Sequence, residues 1–119
     1  RGGQVALDNG TFDYTYSGSN NIDDVAWYTG NSKDTTQSVG LKMPNVLGLY
    51  DCNGNVWEWC YDTTEGIESG KSDHSNVYRR LKGGSWCNNT EVCAVAVRGN
   101  SQATYAYSNA GFRIVRTVL

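Results

Sequence analysis

The chain has 119 residues, 14 of them glycine, with 39% hydrophobic and 18% charged side chains and a net charge of −2. That length holds one domain and leaves no room for a second core. The charge balance leaves no basic stripe for nucleic acid, and no apolar run reaches the roughly 18 residues of a membrane span.

The many Asn, Ser and Thr residues predict loops and turns rather than long helices. The 4 Trp, 8 Tyr and 2 Phe supply large rings for a small core. Residues 1–24 read as irregular with short extended pieces. Asp23 and Asp24 favour a short helical turn over Asp23–Tyr28, because acidic side chains suit a helix N-terminus, and Gly30-Asn31-Ser32 breaks it. Gly40–Asn45 carries the only proline, Pro44, and reads as a connector. Leu47–Tyr61 is dense in apolar and aromatic residues and is expected to be the centre of the core. Asp62–Asn76 turns polar and reads as a long surface loop, with His74 a solvated loop histidine rather than a catalytic or metal-binding one. Val77–Lys82 alternates as a strand, and Gly83-Gly84 permits a tight bend after it. Val92–Val97 is a second β-prone run. Gly111–Arg116 is a third, with Phe112, Ile114 and Arg116 on one face. There is no internal repeat, no heptad and no sustained helical period. The chain starts at Arg1 without Met, so a fragment or a processed piece is expected, and no signal-peptide pattern is present. Location is not legible, with a cell-surface or extracellular one favoured.

Two groups of residues carry chemistry. The four cysteines, Cys52, Cys60, Cys87 and Cys93, allow three pairings, and no Cys-x-x-Cys occurs to suggest a zinc ribbon. Asp51 and Glu58 are separated by Asn53-Gly54-Asn55, which favours a tight turn. Such a turn brings two carboxylates together with its carbonyls facing inward, and hard oxygens of this kind are what calcium prefers. The alternative is that Asp51 caps a turn while Glu58 bonds to the backbone.

Gly48-Leu49-Tyr50-Asp51-Cys52-Asn53-Gly54-Asn55-Val56-Trp57-Glu58-Trp59 resembles the signature of the formylglycine-generating-enzyme family. Gly83-Gly84-Ser85-Trp86 and Gly111-Phe112-Arg113 follow in that family's order, and Tyr16–Asn20 and Val25–Tyr28 also fit it. Arg1-Gly2-Gly3 resembles the point just after the family's long N-terminal helix. The resemblance covers nearly all of this chain but only the later part of the usual domain. It implies an α+β, C-type-lectin-like fold, mostly irregular with short antiparallel strands, as a single domain over residues 1–119. It also implies a calcium site made by the side chains of Asp51 and Glu58 and the carbonyls of Gly54 and Val56. Trp57, Trp59 and Trp86 are expected to pack in the core rather than to form a sugar platform. Arg113 and Arg98 are expected to tie the C-terminal segment to the fold.

The enzymes of this family oxidise a substrate cysteine with two copper-binding cysteines, spaced by four residues between the two later motifs. Here Cys87 and Cys93 lie in that interval but are separated by five. Cys93-Ala94-Val95-Ala96-Val97-Arg98 instead resembles non-catalytic relatives, and the resemblance implies a Cys60–Cys93 contact or disulfide. The family's histidine-rich iron branch is not matched, because His74 is the only histidine. Residues 83–119 resemble the variable region of retroelement-diversified proteins with this fold. The frame there is Gly83–Trp86, Cys93, Arg98 and Gly111–Arg113. The residues reachable from an asparagine codon by changing adenines are Cys87, Asn88, Asn89, Val92, Val97, Gly99, Asn100, Ser101, Tyr105, Tyr107, Ser108 and Asn109. The expectation is a ligand-binding module rather than an enzyme, displaying exchangeable side chains to a protein or other macromolecule, with calcium structural. The alternatives are an oxidase of the formylglycine-generating type and an undiversified accessory domain.

Overall fold

The computed structural model describes residues 4–7, 10–64 and 77–118, with side chains over 14–64 and 77–118. Arg1-Gly2-Gly3, His74 and the bulk of the Asp62–Asn76 loop therefore lie outside the described residues. Strands β1 (Gln4–Leu7) and β2 (Gly10–Asp13) form an antiparallel hairpin. Helix α1 (Ile22–Val25) is a single turn whose N-cap is Asn21, with Asp23 and Asp24 in its first turn as the dipole favours. It ends where Ala26 turns extended to begin β3 (Ala26–Trp27), so it stops earlier than the glycine at position 30 required.

β3 pairs in parallel with β4 (Asn53–Gly54). The main sheet has the order β7-β6-β5-β8, built from β5 (Trp57–Thr63), β6 (Tyr78–Lys82), β7 (Arg98–Gln102) and β8 (Ala110–Gly111). β5 with β6 and β6 with β7 are antiparallel, and β5 carries an irregularity between Trp59 and Thr63. β8 returns from the far end of the chain to pair with β5 in parallel. The layout is α+β, with one short helix and small mixed sheets joined by irregular chain.

The core is small: Tyr16, Ile22, Val25, Ala26 and Cys93, flanked by Tyr28 and Ala94. It is stitched by a fully buried amide. Asn53 accepts from the Ser17 N–H at 2.7 Å and donates to the Cys93 carbonyl at 2.6 Å, joining three distant stretches. Two glycines are required by close approach. At Gly54, with φ +67°, a Cβ would stand 2.2 Å from the Trp27 carbonyl oxygen, and at Gly84, with φ +69°, one would stand 2.7 Å from Cys93 Sγ.

Three expectations change. Leu47–Tyr61 is buried only over 51–55, because Asn45 claims the backbone before it. Its Oδ1 accepts from Leu47 and Leu49 N–H, curling the loop so that Leu47 stays 66% exposed. Val92–Val97 is a chain of turns, not a strand. Cys93 N–H bonds Asn89 O, Val97 N–H bonds Ala94 O, and the strand begins only at Arg98. Gly111–Arg116 pairs only through Gly111; beyond it Arg113 is drawn to Glu58, and Phe112 and Ile114 remain 76% and 87% exposed. The half-buried Trp57, Trp59 and Trp86 lie at the edge of the core rather than in its centre.

Candidate functional site

Two places on the molecule gather the sequence-predicted residues. The first is the loop before β5. Asp51, Val56 and Glu58 line a pocket of about 460 Å³ together with Tyr50, Phe112 and Arg113. Asp51 takes the left-handed backbone conformation at φ +54°, which turns its carboxylate inward. One oxygen, Oδ2, accepts from the Gly40 N–H at 2.8 Å. The other, Oδ1, is buried and has no hydrogen-bond partner, a state that costs about 1–3 kcal/mol.

Glu58 is engaged differently. Arg113 Nε donates to its two oxygens at 3.1 and 3.0 Å, and Arg113 Nη2 donates to Oε1 at 2.5 Å. The same Nη2 reaches the carbonyls of Tyr50 and Asp51, both at 3.1 Å. Hydrogen bonding to Glu58 raises the Arg113 pKa further above its ordinary value. Arg113 thus ties the C-terminal segment to the fold. Arg98 meets Lys82 across the β6–β7 ladder, and its side chain makes no hydrogen bond or ion pair to the described residues. Gly54 stands apart from the pocket lining, with its N–H bonded to the Gly83 carbonyl. Asp51 Oδ1 is a hard acceptor that nothing among the described residues fills, and a second carboxylate faces the same pocket, so the donors fit a calcium ion. No group of three or more His, Cys, Asp or Glu gathers among the described residues, so such a site depends on carbonyls as well.

The second place is the surface carried by residues 87–109. Asn100, Ser101, Tyr107 and Asn109 surround a pocket of about 210 Å³ floored by Trp57 and Leu81. Tyr107 and Ser101 share a hydroxyl–hydroxyl bond of 2.6 Å, and Tyr105 meets Tyr107 edge-to-face with ring centres 6.2 Å apart. The two tyrosines are 55% and 44% exposed. Asn109 donates to Ser85 Oγ at 3.2 Å and Cys87 Sγ at 3.4 Å, which brings Cys87 beside this pocket. Gly99 sits in β7 opposite Leu81 and over the Trp57 ring. Ser108 is exposed on the same turn.

Other predicted positions serve the backbone. Asn88 Oδ1 accepts from Ser85 N–H and Oγ, its carbonyl accepts from Thr29 N–H, and Asn89 Oδ1 accepts from Val92 N–H. Val97 offers its carbonyl to Lys82 Nζ at 2.7 Å. The residue that sequence reasoning missed is Asn53: amides at 53 and 55 inside an aromatic, apolar run are the signal that could have marked it.

None of the four cysteines is in a disulfide, so the expected Cys60–Cys93 disulfide is absent. The geometry explains why. Cys93 Sγ faces the Ser85 carbonyl at 4.0 Å, and Cys87 Sγ lies 3.3 Å from Ser85 Oγ, while Cys60 is turned to the Glu58 carbonyl. Burial pushes the Cys93 thiol up to about 11.

A family model described as the sulfatase-modifying factor enzyme 1-like domain matches residues 3–118. The chain is 35% identical over 121 residues to the chaperone protein LppX of Paenibacillus barcinonensis, across 87% of this chain and 42% of that protein. It is 35% identical over 89 residues to the formylglycine-generating enzyme of Streptomyces coelicolor, across 66% of this chain and 28% of the enzyme. Treponema denticola variable protein 1 superposes with a TM-score of 0.72 at 38% identity, across 84% of this chain and 40% of that one. This chain therefore spans less than half the length of each. No helix among the described residues is long and apolar enough to cross a membrane. The fold is C-type-lectin-like in its formylglycine-generating-enzyme form, with a variable protein among its structural neighbours. The chain belongs to the sulfatase-modifying factor enzyme 1-like domain family.

Proposed function

We propose that this chain is a ligand-binding module of the retroelement-diversified kind, and that it recognises a protein or another macromolecule through residues 87–109. The observation that carries this is the exposed Tyr105–Tyr107 pair over the pocket of Ser101 and Asn109. Tyrosines are rigid and amphipathic, so they supply contact area at low entropic cost. The likeness to Treponema denticola variable protein 1 supports the same reading. In this account Asn88 and Asn89 maintain the frame, while Asn100, Tyr105, Tyr107 and Ser108 are the exchangeable, exposed contacts. The test is deep sequencing of the codons for residues 83–119 across the source population. Adenine-directed substitutions within 87–109, with Gly83–Trp86, Cys93, Arg98 and Gly111–Arg113 untouched, are expected. A uniform segment would remove diversification from the account. Against whatever ligand this surface binds, Tyr105→Ala and Tyr107→Ala are each expected to cost more than about 1 kcal/mol in affinity.

One observation favours a second reading, an oxidase of the formylglycine-generating type: Cys87 and Cys93 converge on Ser85. The reactive species of a cysteine is its thiolate, and burial holds Cys93 as the neutral thiol. Copper-dependent turnover of a cysteine-containing peptide would establish this reading in place of the first.

Calcium is proposed as a structural ion, held by Asp51 and Glu58 with the carbonyls of Gly54 and Val56. Its role is to supply positive charge to the loop before β5, leaving ligand contact to residues 87–109. Saturation at a hundred times its dissociation constant contributes about 2.7 kcal/mol. Excess chelator is therefore expected to lower the melting temperature by about 10 °C for a chain of this size. An unchanged melting curve would remove calcium from the account.

A further inference from the structure

Arg113 occupies the groups that a cation in this loop would use. Its guanidinium takes both Glu58 oxygens and the carbonyls of Tyr50 and Asp51, leaving Asp51 Oδ1 as the one buried side-chain oxygen without a partner among the described residues. Two carboxylates face one guanidinium, so a single negative charge remains uncompensated in the pocket. These are also the only side-chain hydrogen bonds that residues 112–118 make among the described residues. Phe112, Ile114 and Val115 lie 76%, 87% and 86% exposed and add little grip of their own.

We propose that Arg113 is a built-in competitor of calcium for Glu58, so that calcium binding at Asp51 and Glu58 unties residues 112–118 from the loop before β5. The inference rests on the calcium reading above. A calcium ion sits about 2.3–2.6 Å from each oxygen it binds. Arg113 already takes most of the roughly four lone-pair sites of the Glu58 carboxylate, so Glu58 cannot hold calcium through both oxygens while the guanidinium stays, and the two positive charges would repel at close quarters. One of them must leave, and Arg113 is the mobile one because it sits at the end of a long side chain on an exposed segment. The protein thereby exchanges an internal cation for an external one. The C-terminal segment, with its apolar side chains, registers the exchange.

The experiment measures calcium affinity by titration calorimetry, for the wild-type chain and for Arg113→Gln, in calcium-depleted buffer. It is paired with hydrogen–deuterium exchange of residues 112–118 with and without calcium. The expected results are at least ten-fold tighter calcium binding by Arg113→Gln, intermediate binding by Arg113→Lys, and faster exchange of 112–118 when the wild type binds calcium. The exchange arm needs no variant, so a poorly folded Arg113→Gln does not leave the idea untested. Calcium binding with equal or weaker affinity in Arg113→Gln, or with unchanged or slower exchange in the wild type, would overturn the competition and leave the calcium reading standing. Absence of calcium binding by both proteins would overturn the calcium reading and the competition with it.

Discussion

Replacing Asn53 by alanine removes no charge and exposes no large apolar surface, yet it is expected to be among the most damaging changes in the chain. The side chain is fully buried and makes one bond as acceptor, to Ser17 N–H, and one as donor, to the Cys93 carbonyl. Alanine leaves both backbone groups buried without partners. Each such group costs about 1–3 kcal/mol, so the pair costs about 4 kcal/mol. At about 2.1 cal/mol/K of unfolding entropy per residue, a chain of 119 residues loses about 4 °C of melting temperature per kcal/mol. The midpoint should fall by about 15 °C. Urea unfolding followed by tryptophan fluorescence measures the free energy directly. Asn53→Asp is the control: it can still accept from Ser17 but cannot donate to the Cys93 carbonyl, and it should lose at least as much. A loss below about 1 kcal/mol in Asn53→Ala would show that water or a local shift replaces the amide, and the account of the core as stitched by Asn53 would be wrong.

Other expectations follow from single contacts. Tyr107→Phe deletes the bond to Ser101 and should lower stability by about 0.5–1.5 kcal/mol, whereas Tyr105→Phe should change it little; equal effects would separate the hydroxyl from the Ser101 contact. Gly54→Ala meets both a positive φ and a backbone oxygen 2.2 Å from the new Cβ. It should cost more than about 3 kcal/mol, and a near-native melting curve would contradict the packing of β3 on β4. The raised Cys93 thiol sets a pH dependence of known sign. The folded state holds the proton that the unfolded state releases from its ordinary value of 9.0, so stability is intact below pH 9 and falls as pH rises towards about 11. Cys93→Ala should be destabilised at neutral pH but should lack that alkaline decline, as urea titrations across the range will show.

Local signals were legible where the structure is local. The alternation of Val77–Lys82 marked β6, the glycines after it marked the bend, and the paired acids before Val25 marked the helical turn. The family motif located the loop of Asp51 and Glu58, because its turn residues are adjacent in the chain. What escaped was long-range. The tie made by Arg113 was expected from the family motif, but its partner was not: the capture of Glu58 spans 55 residues, and nothing in Gly111-Phe112-Arg113 announces it. The run Val92–Val97 has strand composition, yet its backbone is spent on turns around the buried Cys93. The tyrosines at 105 and 107 were legible as binding types, but not their edge-to-face contact or the bond to Ser101. Burial of Asn53 depends on Ser17 and Cys93, which lie 36 and 40 residues away.

The parallel pairing of β8 with β5 has a kinetic consequence. Trp57 meets Ala110 and Glu58 meets Gly111, so this step closes a loop of more than fifty residues that contains β6, β7 and the whole segment 87–109. Contacts of such sequence separation form slowly and late, because the chain entropy of closure is lost before any pairing compensates it. The antiparallel β5–β6–β7 meander can assemble first, and the closing strand then locks on. Side-chain changes in the enclosed segment leave both ends of that clasp intact. A chain organised this way can accept different residues at exposed positions of the segment, such as Asn100, Tyr105 and Ser108, without disturbing the clasp that closes it.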